Sequence, residues 1–278
     1  MNPSDAEFAA ALVARRLGLP VIAALIAADR LVLTPREIDE NDGFSIEVRT
    51  TWRTAEARFS PGKFARPLIE RMGAGVPQAR AGFAALATAA ARQGKLSLRV
   101  NGAELDPAES APWPRQWQKI ELTLKKQGVV FEELNRTQVQ QLLGDIIAAM
   151  FGMCIALIGI EEVDADSSAL EGEPSEITSR RYERRPVNRE ICLSVRGRRC
   201  YCCNMDFGEI YGPLADGYIE VHHTTPASEL GPGYKINPVT ELVPVCCNCH
   251  SVVHLTNPAR SVDEVRAIFD GKRAHDEH

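Results

Sequence analysis

Two cysteine pairs, Cys200-x-x-Cys203 and Cys246-x-x-Cys249, bracket a His222-His223 doublet, and the second pair runs straight into His250 and His254. Each short CxxC turn presents two sulfurs to one ion, so the four thiolates can close a tetrahedral zinc site. Histidines at i and i+4 on a helix share a face, so His250 and His254 can point at one spot. On a strand successive side chains alternate, so His222 and His223 cannot both face that spot. One of the doublet can ligate a metal while the other is left to move protons, and an imidazole titrates where water activation needs it. The spacing predicts two metal sites of different character within one segment.

Further residues fall in order around these. The run from Arg181-Tyr182-Glu183-Arg184 through Cys200-x-x-Cys203, Asp206-Phe207, Tyr211-Gly212, Ile219-Glu220-Val221-His222-His223 and Cys246-x-Asn248-Cys249-His250 to His254 resembles an HNH endonuclease domain, closest in style to the McrA-like restriction endonucleases. The resemblance covers roughly the last third of the chain; the first 160 residues carry none. It implies a ββα-metal fold, with two strands bearing the histidine doublet and a helix bearing the later ligands. It makes His222, His250 and His254 the ligands of a catalytic divalent ion (Mg²⁺ or Mn²⁺), His223 the general base, and Cys200, Cys203, Cys246 and Cys249 a structural zinc site. Cys202 and Cys247 are then spare thiols inside the CxxC turns. The family's middle residue, an Asn or Asp that orients the catalytic histidine, falls here at Glu241. A glutamate accepts such hydrogen bonds but cannot donate when ionised. The expected reaction is phosphodiester hydrolysis leaving 5′-phosphate and 3′-hydroxyl ends.

A net charge of −5 and a pI near 5.8 argue against a protein that coats nucleic acid along its whole surface. The average conceals a local reversal. Acidic residues crowd residues 161–176, and arginines follow at once. Of these, Arg180, Arg181, Arg184, Arg185, Arg198 and Arg199 are the candidates for DNA phosphate contacts beside the histidines. No charged-then-apolar leader opens the sequence, so a cytoplasmic location is expected. Six of the eight cysteines lie in or beside the CxxC pairs, which reads as metal binding rather than a disulfide framework. Cys154 and Cys192, in apolar surroundings, read as inert core thiols.

The elements that must position this chemistry follow from periodicity. Residues 5–17 pattern as an amphipathic helix, an apolar stretch covers 20–29, and 44–59 alternate as strands do. A helix is expected over 78–93 with Gly94 as its C′ residue. A hairpin turning at Asn101-Gly102 is expected over 96–105, and a strand over 120–126. The apolar run 142–160 approaches a membrane span in length, but Asp145 interrupts it and no aromatic belt flanks it. It reads as a buried core helix or a dimer helix, with Thr137 and Gln140 as its capping pair. A short helix over 262–269 is expected to start at a Ser261/Glu264 capping box. Trp52, Trp113 and Trp117 could line a base-reading pocket, although packing is the commoner use of such residues.

The expected class is therefore α+β. A mixed α+β domain for target recognition or oligomerisation (1–160) joins through an acidic linker (161–178) to a small zinc-framed HNH domain (179–278). The expected function is a metal-dependent endonuclease acting on double-stranded DNA, a restriction or phage-defence enzyme whose N-terminal domain selects the target. Modified-cytosine DNA is one candidate target. Double-strand cleavage by a single-site domain would call for a homodimer, with 142–160 as a candidate interface. The alternative is a zinc-framed nucleic-acid-binding protein whose nuclease site has decayed.

Overall fold

The computed structural model describes residues 1–36, 38, 41–159, 186–224, 236–256 and 259–276. The predicted linker (161–178) and Arg180, Arg181, Arg184 and Arg185 lie outside them. The chain divides into two compact units, Met1–Val163 and Asp164–His278.

The first unit is a mixed α+β body built on a seven-stranded antiparallel sheet. Its strands are β1 (Val21–Ala27), β2 (Arg30–Pro35), β3 (Phe44–Thr50), β4 (Thr54–Pro61), β5 (Lys95–Val100), β6 (Ala103–Leu105) and β7 (Ile120–Gln127). They lie in the order β1-β2-β3-β4-β7-β5-β6. The apolar stretch at 20–29 is thus resolved as the edge strand β1. Alternation assigns the two faces. Leu31, Leu33, Phe44, Ile46, Val48, Ala55, Ala57, Phe59, Leu122 and Leu124 are buried on one side. The other side carries partly exposed charge, including the cross-strand ion pairs Arg30–Glu47 and Lys125–Glu56.

Helices α1 (Pro3–Leu17), α2 (Arg66–Gly73), α3 (Pro77–Ala91) and α4 (Arg136–Ile158) belong to the same unit. The 142–160 run is the body of α4, which packs against the three other helices and strands β3, β4 and β7. Its length and apolarity would suit a membrane span, but 72% of its most apolar window is buried inside the unit. Burial on all sides explains an all-round apolar helix. Of the two readings of this run, the burial supports the core helix. The helix starts two residues earlier than expected: Asn135 and Gln138 exchange the capping-box hydrogen bonds assigned to Thr137 and Gln140. Gly144 lets α1 approach closely, because a Cβ there would lie 2.4 Å from Leu12.

Two other expectations change in detail. The α3 helix ends at Ala91 with Arg92 as its C-cap, and Gly94 is not in the left-handed region. Gly94 is needed for space instead, since a Cβ would sit 2.6 Å from the Lys125 carbonyl oxygen. The hairpin at Asn101-Gly102 forms as expected, both residues having positive φ (52° and 88°) as a type I′ turn requires. Trp113 and Trp117 are buried beside Phe83, whereas Trp52 is 75% exposed at the β3–β4 turn. The three tryptophans do not form one pocket.

The second unit is smaller. It contains α5 (Pro186–Arg196), α6 (Phe207–Tyr211), β8 (Glu220–His223), β9 (Leu242–Val245), α7 (Cys247–Val253) and α8 (Val262–Asp276). Strands β8 and β9 pair antiparallel with His222 opposite Val243 and His223 opposite Leu242. Arg189 of α5 donates to the carbonyls of Gly217 and Ile219, and Arg196 donates to that of Thr240, so α5 fastens the approaches to both strands. The Ser261/Glu264 capping box is present, and the helix it starts runs on beyond residue 269.

Candidate metal centres

Cys200 and Cys203 sit on a tight turn closed by the Asn204 N–H donating to the Cys200 carbonyl at 2.8 Å. Asn204 takes positive φ (60°), a conformation asparagine tolerates better than most residues. The Tyr201 N–H donates to the Pro244 carbonyl, which ties this turn to β9. The chain then leaves β9 into Cys246, the N-cap of α7, whose sulfur accepts the Cys249 N–H at 3.4 Å. The N-cap position thus fixes the Cys246 sulfur at the start of α7.

The ligand atoms of Cys200, Cys203, Cys246 and Cys249 all lie within 4.8 Å of one another. The Cys203 and Cys246 sulfurs are 3.7 Å apart. Tetrahedral zinc with Zn–S near 2.3 Å would place its sulfurs about 3.8 Å apart. The acid–base behaviour points the same way. Cys200 is held down to about 4, first by a hydrogen bond from Cys202 and then by backbone N–H groups of Cys246 and Cys203. Burial pushes Cys203 up to about 11, and burial followed by the Cys200 charge pushes Cys249 up. Cys203 and Cys249 are thus opposed as thiolates beside Cys200, an opposition that a bound cation would offset. This buried set can hold a metal and is consistent with structural zinc. Cys202 is outside the four-sulfur set, and its sulfur lies 3.5 Å from the Val262 carbonyl oxygen. Cys154 and Cys192 are fully buried, and burial raises both thiols, Cys192 to about 12.

His222, His250 and His254 form a second group whose ligand atoms fall within the same 4.8 Å limit. The His254 Nε2 lies 3.1 Å from that of His222 and 3.2 Å from that of His250. Nitrogens at about 2.1 Å from one ion would be about 3.0 Å apart at right angles and about 3.4 Å apart at the tetrahedral angle, so this set fits a single ion. The outer nitrogens are also engaged. His222 Nδ1 is 2.8 Å from the His223 carbonyl oxygen, and His250 Nδ1 contacts the Glu220 carboxylate. His222 is buried, His250 is intermediate and His254 is exposed, so the group opens to solvent on one side.

Strand alternation separates the doublet as expected. His223 is outside the three-histidine group, is only 3% exposed, and its ring centre lies 6.3 Å from that of His222. Glu241 fastens the neighbouring loop. Its carboxylate accepts the Asn237 N–H at 3.0 Å, and its backbone carbonyl accepts the Thr224 N–H at 2.9 Å. Glu241 thereby holds the residue directly after His223.

The described arginines of the predicted phosphate-binding set already have acidic partners. Arg198 pairs with Asp216 at 2.9 Å, and Arg199 pairs with Glu209. Both pairs clasp the segment between the first cysteine turn and β8. A cavity of about 560 Å³ beside that turn is lined by Arg196, Arg199, Tyr201 and Arg266 among others, and by none of the four histidines. Sequence reasoning passed over Glu220. The signal was available, because a residue two before His222 on a strand faces the same side.

No family model, curated protein or solved structure matches the chain.

Proposed function

We propose that the second unit is a metal-dependent phosphodiester hydrolase of the HNH type acting on DNA. The observation that carries this reading is the convergence of the His222, His250 and His254 Nε2 atoms, with His223 one residue along the same strand. The order of elements supports it as well: strand, strand, then a helix that bears His250 and is capped by His254, framed by four cysteines. A divalent ion held by the three imidazoles would stabilise the negative charge that develops on the scissile phosphate and the departing oxygen.

The chain's own residues supply the rest. In this reading His223 accepts the proton of an attacking water. Glu241 orients His223 indirectly by holding Thr224 and the loop before β9. The cysteine set, loaded with zinc, pins the first turn to the start of α7 and so fixes where His250 and His254 point. Arg180, Arg181, Arg184 and Arg185 would add phosphate contacts. Arg198 and Arg199 would do so only by exchanging their carboxylate partners for DNA. The first unit would select the target, and a second copy of the chain would cut the opposite strand.

One observation favours a second reading, a zinc-framed nucleic-acid-binding protein without hydrolysis: His223 is buried, and a general base must meet water. Plasmid DNA incubated with Mg²⁺ or Mn²⁺ separates the two. Nicking or linearisation that disappears in His223→Ala, with zinc content and fold retained, is the expected result. Binding without any cleavage would favour the second reading.

A further inference from the structure

We infer that Glu220 is a positioning residue of the histidine centre, holding His250 in the one tautomer that can ligate. This rests on the reading of His222, His250 and His254 as a metal site. Neutral imidazole has one protonated and one unprotonated nitrogen, and only the unprotonated nitrogen can bind a cation. A carboxylate against Nδ1 keeps the proton there, because a carboxylate only accepts. Glu220 meets His250 at Nδ1, on the side of the ring away from His254 Nε2. His250 Nε2 is thereby left with its lone pair facing the other two rings.

The same logic operates on His222, by different means. Its Nδ1 lies 2.8 Å from the His223 carbonyl oxygen, another group that can only accept, so Nε2 is again the unprotonated nitrogen. Two of the three imidazoles therefore have their metal-facing lone pairs fixed from behind, one by backbone and one by Glu220. The fold makes this cheap. Glu220 and His222 are on one face of β8, opposite Val245 and Val243 of β9, and α7 lays His250 across that face. Glu220 is outside the set of groups close enough to share the ion, so its place is behind a ligand rather than among the ligands. Such outer partners typically alter metal affinity by about 10–100-fold.

Two readouts test this on full-length protein whose cysteine site carries one equivalent of zinc, with Ni²⁺ as the imidazole-seeking probe and His222→Ala as the site-free baseline. Calorimetric titration should give a Ni²⁺ Kd about 10–100-fold weaker for Glu220→Ala. Glu220→Gln, whose amide oxygen can still accept from Nδ1, should restore most of the difference. Long-range ¹H–¹⁵N correlation of His250 at pH 8, before metal is added, should report the Nδ1–H tautomer in the native protein and in Glu220→Gln. A mixture is expected in Glu220→Ala. Native affinity and an unchanged tautomer in Glu220→Ala would overturn the role of Glu220 alone. No Ni²⁺ binding by the native histidines would overturn the metal reading and the ligand-orienting role with it.

Discussion

The cysteine and histidine centres occupy one small unit and differ in what surrounds them. Cys200, Cys203, Cys246 and Cys249 supply four donors with little exposed surface, while the histidine group supplies three and ends on the exposed His254. Four buried sulfurs complete a tetrahedral ion and leave no place for a reacting molecule, whereas three donors with an open side leave a position for one. The supporting contacts differ in the same sense. Cysteine sulfurs are held by the backbone: the turn at Asn204, the N-cap of α7 and the Cys249 N–H. Histidine rings are held by what touches their outer nitrogens, the His223 carbonyl and Glu220. A structural site is specified by chain path, and a candidate reactive site by the orientation of rings.

That contrast can be broken in several ways, and the largest effect should come from the cysteines. Replacing Cys246 with Ser, or stripping metal with a chelator, should abolish the cooperative unfolding of the second unit, because binding free energy in such a site is folding free energy. Thermal scans should retain the transition of the first unit. A second unit that unfolds normally without metal would show the cysteines to be incidental.

A smaller but functional loss should come from His223. If it moves the proton, His223→Ala should lower the cleavage rate by about 10²–10⁴-fold while zinc content and Tm stay native. Single-turnover cleavage with metal analysis of the same sample measures both. Damage to the first unit sharpens the comparison from outside. Phe151, fully buried in α4 against Phe44, should cost about 3–5 kcal/mol when cut to Ala. Denaturant unfolding should register this in the first unit, with metal content unchanged.

The smallest effect should be at Arg198. Its pair with Asp216 is about half exposed, so Arg198→Ala should change stability by less than about 1 kcal/mol. If the arginine transfers to a DNA phosphate, the substitution should also lower the salt dependence of DNA binding by about one unit of slope. Fluorescence anisotropy across a salt series checks that directly.

Much of this arrangement was legible in the residues. The CxxC spacing identified the four sulfurs, i/i+4 spacing paired His250 with His254, and strand alternation parted His222 from His223. The Asn101-Gly102 turn and the apolarity of residues 142–160 were equally direct. What was missed depended on distance in sequence. Strand alternation places Glu220 on the face of His222, but its contact with His250 also needs the start of α7, which no local pattern contains. Arg198 and Arg199 looked available for phosphate because their partners, Asp216 and Glu209, lie farther along the chain. The edge strand β1 was ambiguous because a short uncharged apolar run carries no period that separates strand from helix. Gly94 suited a helix end by composition, yet its reason is the nearby Lys125 carbonyl, which only the folded sheet brings there.

The central claim is that one unit holds a closed structural metal and an open centre that hydrolyses DNA. Its most direct test is to titrate Mg²⁺ or Mn²⁺ into zinc-loaded protein and follow supercoiled plasmid, unmodified and cytosine-methylated in parallel, alongside His222→Ala. The account predicts no cutting with zinc alone in the cysteine site, cutting that appears with added divalent ion, and none from His222→Ala at equal zinc content. Cutting that persists in His222→Ala, or a folded, zinc-loaded native protein that cuts neither plasmid at any ion concentration, would contradict it.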